Sequence, residues 1–171
     1  LIDPGDNTSD IIEIIRNSGC TLRRVLLTHA HFDHVGAVAS IGKEFDLPCE
    51  IHPEDARLLR QAPIYALRFA GKRIETPQPI QLLPEGVISM GNHKIKILHT
   101  PGHTPGSVCY QLDEVIFTGD TLLYQRVGRT DMPGGDAVCQ KETIDWLLQS
   151  LSDRLIMFPG HGVTWTIAEA K

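Results

Sequence analysis

The sequence has no apolar run approaching the roughly 18 residues that a membrane-spanning helix requires, so no membrane partner is expected. It has no excess of basic charge either. The balance is 16 Lys+Arg against 21 Asp+Glu, a formal net of −5. That excludes the basic footprint of a nucleic-acid-binding surface, although a nuclease could still hold phosphate through metal ions alone. The four cysteines, Cys20, Cys49, Cys109 and Cys139, include no CxxC pair. Their wide spacing argues against a structural zinc knot and suits the reduced, buried or idle thiols of a cytoplasmic protein. There is no low-complexity run and no composition shift that would mark a linker. A chain of 171 residues with 42% hydrophobic content fits one domain over residues 1–171 with a sizeable core. An initiator methionine is also missing. The chain opens at Leu1-Ile2-Asp3, which reads as the end of a strand, so an N-terminal piece is expected ahead of it, and a signal segment there is not excluded.

What the sequence does have is concentrated in Thr28–Gly36, THAHFDHVG. His29, His31, Asp33 and His34 lie within six positions. Neutral imidazole and carboxylate are the ligands that zinc, iron and manganese accept. In an extended segment alternate side chains point the same way, so His29 and His31 can grip one metal from one side. Asp33 and His34 are out of step with that pair and are expected to reach a second ion.

Around this motif the chain alternates between short strands and helices. Asn7–Asp10 is rich in helix N-cap residues, and Ile11, Ile12, Ile14 and Ile15 follow at helical spacing until Gly19. Val25–Leu27 is a short strand ending at the motif. Ala37–Phe45 is a helix with Asp33 at its approach, where a carboxylate suits the helix dipole. Cys49–His52 is a strand, and Pro53 starts a helix running towards Arg60. Gln61–Ile80, with Pro63, Pro77 and Pro79, reads as a partly helical insertion and a candidate flap carrying Arg68, Lys72 and Arg73. Beyond it the pattern is β. Val87–Met90 and His93–Leu98 flank a Gly91-Asn92 turn, and Ser107–Leu112 pairs with Val115–Thr118. Asp136–Ser150 is a helix with Ile144, Leu147, Leu148 and Leu151 on one stripe. Leu155–Phe158 is the last clear strand.

Three later strands each end in a turn carrying a ligand-type residue. These turns are Pro101-Gly102-His103, Thr118-Gly119-Asp120 and Pro159-Gly160-His161. Strand ends are rigid supports, and the loops leaving them commonly carry chemistry. The count then closes. His29, His31, His103 and a carboxylate make one site, and Asp33, His34, His161 and the same carboxylate make a second. Asp120 is the natural bridge, because a carboxylate can bind one metal through each oxygen. Two divalent ions, zinc first with iron or manganese as alternatives, can share a hydroxide and clamp a substrate oxygen. Among the other histidines, His52 reads as a surface or capping residue and His93 as exposed. His99 reads as support for a ligand turn rather than as a ligand.

The HxHxDH run at His29, His31, Asp33 and His34, followed by His103, Asp120 and His161, resembles the metallo-β-lactamase superfamily. The resemblance runs from the Asp3-Pro4-Gly5 turn to Gly160-His161-Gly162. It implies a four-layer αββα sandwich of two mixed sheets with helices outside and metals at one edge, in which strands normally precede the Asp-Pro-Gly turn. A bridging carboxylate at Asp120 is similar to the glyoxalase II pattern and less like true β-lactamases. Gly128-Arg129-Thr130-Asp131 resembles glyoxalase II-like hydrolases and persulfide dioxygenases, which implies that Arg129 shapes the site or holds an anionic substrate; a salt bridge to Asp131 is the competing role. The chain ends at Lys171, soon after His161, where glyoxalase II carries a helical domain. The likeness is therefore to the small single-domain bacterial members.

The chemistry expected is hydrolysis of a thioester such as S-lactoylglutathione, a small-molecule partner, by a hydroxide held between the metals. Asp33 would bind the second metal and orient that hydroxide. A thiolate leaves readily, so no general acid is needed. The nearest alternative is a glutathione persulfide dioxygenase with a single iron. A lactonase, a phosphodiesterase and a non-catalytic metal-binding protein stand further off.

Overall fold

Alternation between buried and exposed side chains sets the sheets, and two apolar clusters hold the helices against them. The computed structural model describes residues 1–171, and the chain divides into two compact units, Leu1–Leu83 and Pro84–Lys171.

The first unit contains α1 (Thr8–Asn17), β1 (Val25–Leu26), α2 (Phe32–Val35), α3 (Val38–Phe45), β2 (Cys49–Ile51), α4 (Ala56–Ala70) and β3 (Ile80–Leu82). Its three strands pair in parallel in the order β1-β2-β3. Parallel strands buried on both faces read as unbroken apolar runs, and Val25, Leu26, Leu27 and Ile51 are all buried. Val38, Ile41, Leu58 and Leu59 complete this core, with Ile11 and Ile12 of α1 packed on it. Ile14 faces water at 67% exposure, so the inward stripe of α1 is Ile11, Ile12 and Ile15 rather than all four isoleucines.

Two expectations need correction here. The helix expected to run only towards Arg60 continues to Ala70, with Pro63 inside it. Proline removes one backbone hydrogen bond and normally breaks a helix. Here Leu58, Leu59, Ala62 and Ala66 recur on one buried face, and packing of that face outweighs the lost bond. Only the part of Gln61–Ile80 beyond Gly71 is irregular. Within it Lys72 pairs with Asp6, and at the end of α4 the Arg68 guanidinium lies over the Phe69 ring, 5.6 Å from its centroid. Second, Asp33 is not at the approach to α3. It lies in α2, a separate turn of helix.

The second unit contains β4 (Gly86–Met90), β5 (His93–His99), β6 (Val108–Leu112), β7 (Val115–Gly119), β8 (Leu122–Leu123), β9 (Arg126–Val127), α5 (Ala137–Ser150), β10 (Ile156–Pro159), β11 (Trp165–Thr166) and α6 (Ile167–Ala170). Six of the strands form one sheet in the order β11-β10-β7-β6-β5-β4. The hairpins fall where the turn residues place them, with Gly91 and Asp113 at positive φ. The α5 stripe buries Leu147 and Leu151 against Ile116, Met157 and Ile167, with Ile144 and Leu148 alongside. The Asp136 side chain caps this helix by accepting from the N–H groups of Val138 and Cys139. The small β8–β9 hairpin, β11 and α6 were not foreseen in the sequence.

Candidate metal centre

In the first unit the motif begins where β1 ends. His31 has φ −69° and ψ 145°, an extended conformation that suits the alternation argument for His29 and His31. Their rings meet edge to face with centroids 4.9 Å apart, and the His34 ring lies 4.1 Å from that of His29. All three histidines are buried. Asp33 is 42% exposed, and its Oδ2 lies 3.9 Å from His34 Nε2.

The hydrogen bonds behind these rings decide their tautomers. Thr28 Oγ1 donates to Asp3 Oδ2 at 2.6 Å, so it accepts from His29 Nδ1–H at 2.9 Å. His34 Nδ1–H donates to the same Asp3 oxygen at 3.0 Å. Each imidazole therefore presents a lone pair on Nε2, the form that ligates. Asp3, His29 and His34 offer ligand atoms within 4.8 Å of one another. Asp3 was read from the sequence only as part of a turn. Its signal was a carboxylate at a strand end, one strand away from the motif. Asp55, wholly buried, was also missed; its Oδ2 accepts from Ala30 N–H at 2.9 Å and fixes the backbone between His29 and His31.

In the second unit the sheet assembles the remaining ligand types. β10 runs parallel to β7 with Pro159 opposite Gly119, and Gly160 N–H donates to Gly119 O at 2.8 Å. Asp120 follows Gly119 and His161 follows Gly160, so the pairing sets them side by side. Asp120 Oδ2 lies 3.7 Å from His161 Nε2 and 3.8 Å from His103 Nε2. Those separations are too long for hydrogen bonds. They are close to the spacing of two donors that each sit about 2.1 Å from one tetrahedral ion. His103 Nδ1–H donates to the Arg129 carbonyl oxygen at 2.6 Å, which again presents Nε2 for ligation. The residues thus fit the metal-binding chemistry on tautomer and on spacing.

Arg129 contributes its carbonyl to His103 and its guanidinium to Asp131, in a bidentate pair of 2.6 and 2.7 Å. Hydrogen bonding from Arg129 holds the Asp131 carboxyl down at about 2. A cleft of about 410 Å³ opens between this segment and α5, with Arg129 and Lys141 on its wall. Of the other histidines, His52 caps the turn at Pro53 but is buried, not at the surface. His93 is exposed beside Asp113. His99 Nε2 donates to the Pro105 carbonyl at 2.8 Å, two residues past His103.

Four buried histidines, His29, His31, His34 and His103, with carboxylates at ligand spacing and strand-end turns, define a metal-binding protein of mixed α/β architecture. The chain belongs to the metallo-β-lactamase superfamily, whose family model matches residues 1–161. It is a metal-dependent hydrolase of that superfamily. It is 36% identical over 178 residues to the hydroxyacylglutathione hydrolase GloC of Haemophilus influenzae, covering 100% of this chain and 83% of that protein. The crystal structure of TTHA1623 in a di-iron-bound form matches with a TM-score of 0.91 and 40% identity, over 99% of this chain and 85% of that one. The BLEG-1 B3 metallo-β-lactamase matches with a TM-score of 0.90 and 36% identity, over 98% of this chain and 83% of that one. No helix is long and apolar enough to cross a membrane.

Proposed function

We propose that this protein hydrolyses a thioester, with S-lactoylglutathione as the model substrate, and that residues 1–171 work as one domain. His29, His31, Asp33, His34, His103, Asp120 and His161 would act as one ligand set for two divalent cations. The observation that supports this reading is Asp120: one of its carboxylate oxygens lies at nearly equal distance from His103 and His161, and a carboxylate shared in this way would serve two ions. When bound, the cations supply an activated water and the charge that polarises the thioester carbonyl.

The side chains supply the rest. Asp3 and Thr28 hold His34 and His29 in the ligating tautomer, and the Arg129 carbonyl does the same for His103. Asp33, the single acid of the motif and 42% exposed, would orient the attacking water through its carboxylate. The thiolate departs without a proton donor, which matches the lack of a dedicated acid. Arg129 would meet a substrate carboxylate, for which a planar guanidinium is better shaped than a lysine. The similarity to GloC favours a glutathione conjugate. Zinc is the first expectation, and the di-iron-bound structural neighbour makes iron its competitor.

The test is metal analysis on natively purified protein together with S-lactoylglutathione hydrolysis and oxygen uptake with glutathione persulfide. Two metals per chain with hydrolysis and no oxygen uptake are expected. One iron per chain with oxygen consumption would replace this reading with the dioxygenase.

A further inference from the structure

We propose that Gln140 is a positioning residue for the metal ligands His103 and Asp120, and that the first turns of α5 are their scaffold. This rests on the metal-centre reading above. Gln140 is 2% exposed. Its Nε2 donates to two backbone carbonyls, Gly128 O at 3.0 Å and Thr121 O at 3.3 Å. Both partners can only accept, so the amide orientation is fixed. Each carbonyl is one residue from a site group. Thr121 follows Asp120, and Gly128 precedes Arg129, whose carbonyl takes the His103 Nδ1 proton. One side chain thus clamps the two segments that hold a carboxylate ligand and the partner of a histidine ligand.

The same helix reaches the His103 turn from the other side. Thr143 Oγ1 donates to Pro101 O at 2.7 Å, and Asp136 N–H donates to Gly102 O at 2.7 Å. Gly102 has φ +133°, and a Cβ there would run into the backbone of Gln140. The segments 101–103, 120–121 and 128–129 are therefore all referenced to α5. Gln140 Oε1 is buried with no hydrogen-bond partner. A buried acceptor left unmet is a cost to folding, and leucine or methionine would avoid it. The two donations from Nε2 are what an apolar residue of the same length cannot supply.

The experiment titrates apo protein with Co(II), following the ligand-field spectrum, for wild type, Gln140→Met, Thr143→Val and Leu147→Ala. Leu147 is fully buried on the same helix but faces the apolar cluster, so its truncation reads out mere loss of stability. Gln140→Met is expected to weaken Co(II) binding by about 10–100-fold, the usual loss when a group supporting a ligand is removed. Its spectrum should change, and its apo melting temperature should stay above that of Leu147→Ala. Leu147→Ala should melt lower yet keep the wild-type spectrum and affinity. Should Gln140→Met fail to fold, Thr143→Val decides by the same affinity and spectrum. Wild-type affinity and spectrum in the folded Gln140 or Thr143 variant would overturn the proposal. So would affinity losses that simply track melting temperature across the series. A wild-type chain that binds no cobalt would overturn the metal-centre reading as well.

Discussion

Gly128→Ala should damage the metal centre through the backbone alone. The added Cβ would lie 2.8 Å from His103 Nδ1 and closer still to the Asp120 carbonyl oxygen. An ordinary contact needs about 3.5 Å. The 128–129 segment would therefore have to open by about 0.7 Å at His103 and by more at Asp120. It cannot move without stretching the 2.6 Å bond from His103 to the Arg129 carbonyl and the 3.0 Å bond from Gln140 to its own carbonyl. Forcing one methyl into such a site costs roughly 1–3 kcal/mol of stability. A misplacement near 1 Å can cost about 100-fold in rate. The expected outcome is a folded variant with weakened metal binding and thioesterase activity lower by roughly 10–100-fold. Far-UV circular dichroism, metal content after dialysis against a weak chelator, and kcat on S-lactoylglutathione measure these separately. Full metal content with near-wild-type kcat would refute the claim that this glycine sets the ligand geometry.

Other outcomes follow from the same geometry. Asp33→Ala should lower hydrolysis by more than about 100-fold while moving the apo melting temperature little, since the side chain is 42% exposed; near-wild-type turnover at full metal loading would remove Asp33 from the mechanism. Arg129→Ala should raise KM for anionic thioesters more than for a small uncharged one, and Asp131→Ala, which releases the guanidinium, should lower it. Equal effects on both substrates would leave Arg129 only its structural pair. Burial pushes the Cys49 and Cys109 thiols from the ordinary 9.0 up to about 12, so iodoacetamide at pH 8 should modify exposed Cys20 well before either. Because the folded state keeps protons that the unfolded chain sheds, the stability those thiols contribute is whole below pH 9 and is lost as pH rises towards 12. A melting temperature indifferent to pH over that window would contradict it.

How much was legible in the sequence depended on the range over which each feature is encoded. Hairpin turns and the α5 stripe are local patterns, and both fall where the turn residues, Gly91-Asn92 and Asp113-Glu114, and the 3.6-residue period put them. The extent of α4 was misread because Pro63 is a local signal, while the burial of Leu59, Ala62 and Ala66 that outweighs it is a tertiary one. Asp33 was misassigned to the approach of the next helix for a related reason: a four-residue turn of helix has no periodicity to detect. The ligand-type residues were visible because their chemistry is unusual at any position. Asp3, Asp55 and Gln140 were not, because an acid or an amide becomes a support only through the residue it faces, and those partners lie 25 or more positions away for Asp3 and Asp55 and 12 or 19 for Gln140.

For Arg129, pairing with Asp131 and the proposed binding of an anion are compatible roles. Its side chain is 64% exposed and that of Asp131 is 69% exposed, so both ends of the pair remain in water. Water screens an exposed pair from both ends, and an incoming carboxylate that replaced Asp131 would exchange one hydrated partner for another. Arg24 is the contrast. It meets Glu50, whose side chain is only 4% exposed, and stripping Arg24 from that partner would leave a buried charge unmet. On the proposed reading the guanidinium of Arg129 would be held ready rather than locked, with Asp131 limiting its conformations until an anion arrives. Its backbone is under the opposite constraint, since the same residue's carbonyl fixes the tautomer of His103. A single position thus carries an exposed contact on its side chain and a fixed one on its main chain, so a substrate role for the guanidinium, as proposed, would leave the support of His103 undisturbed.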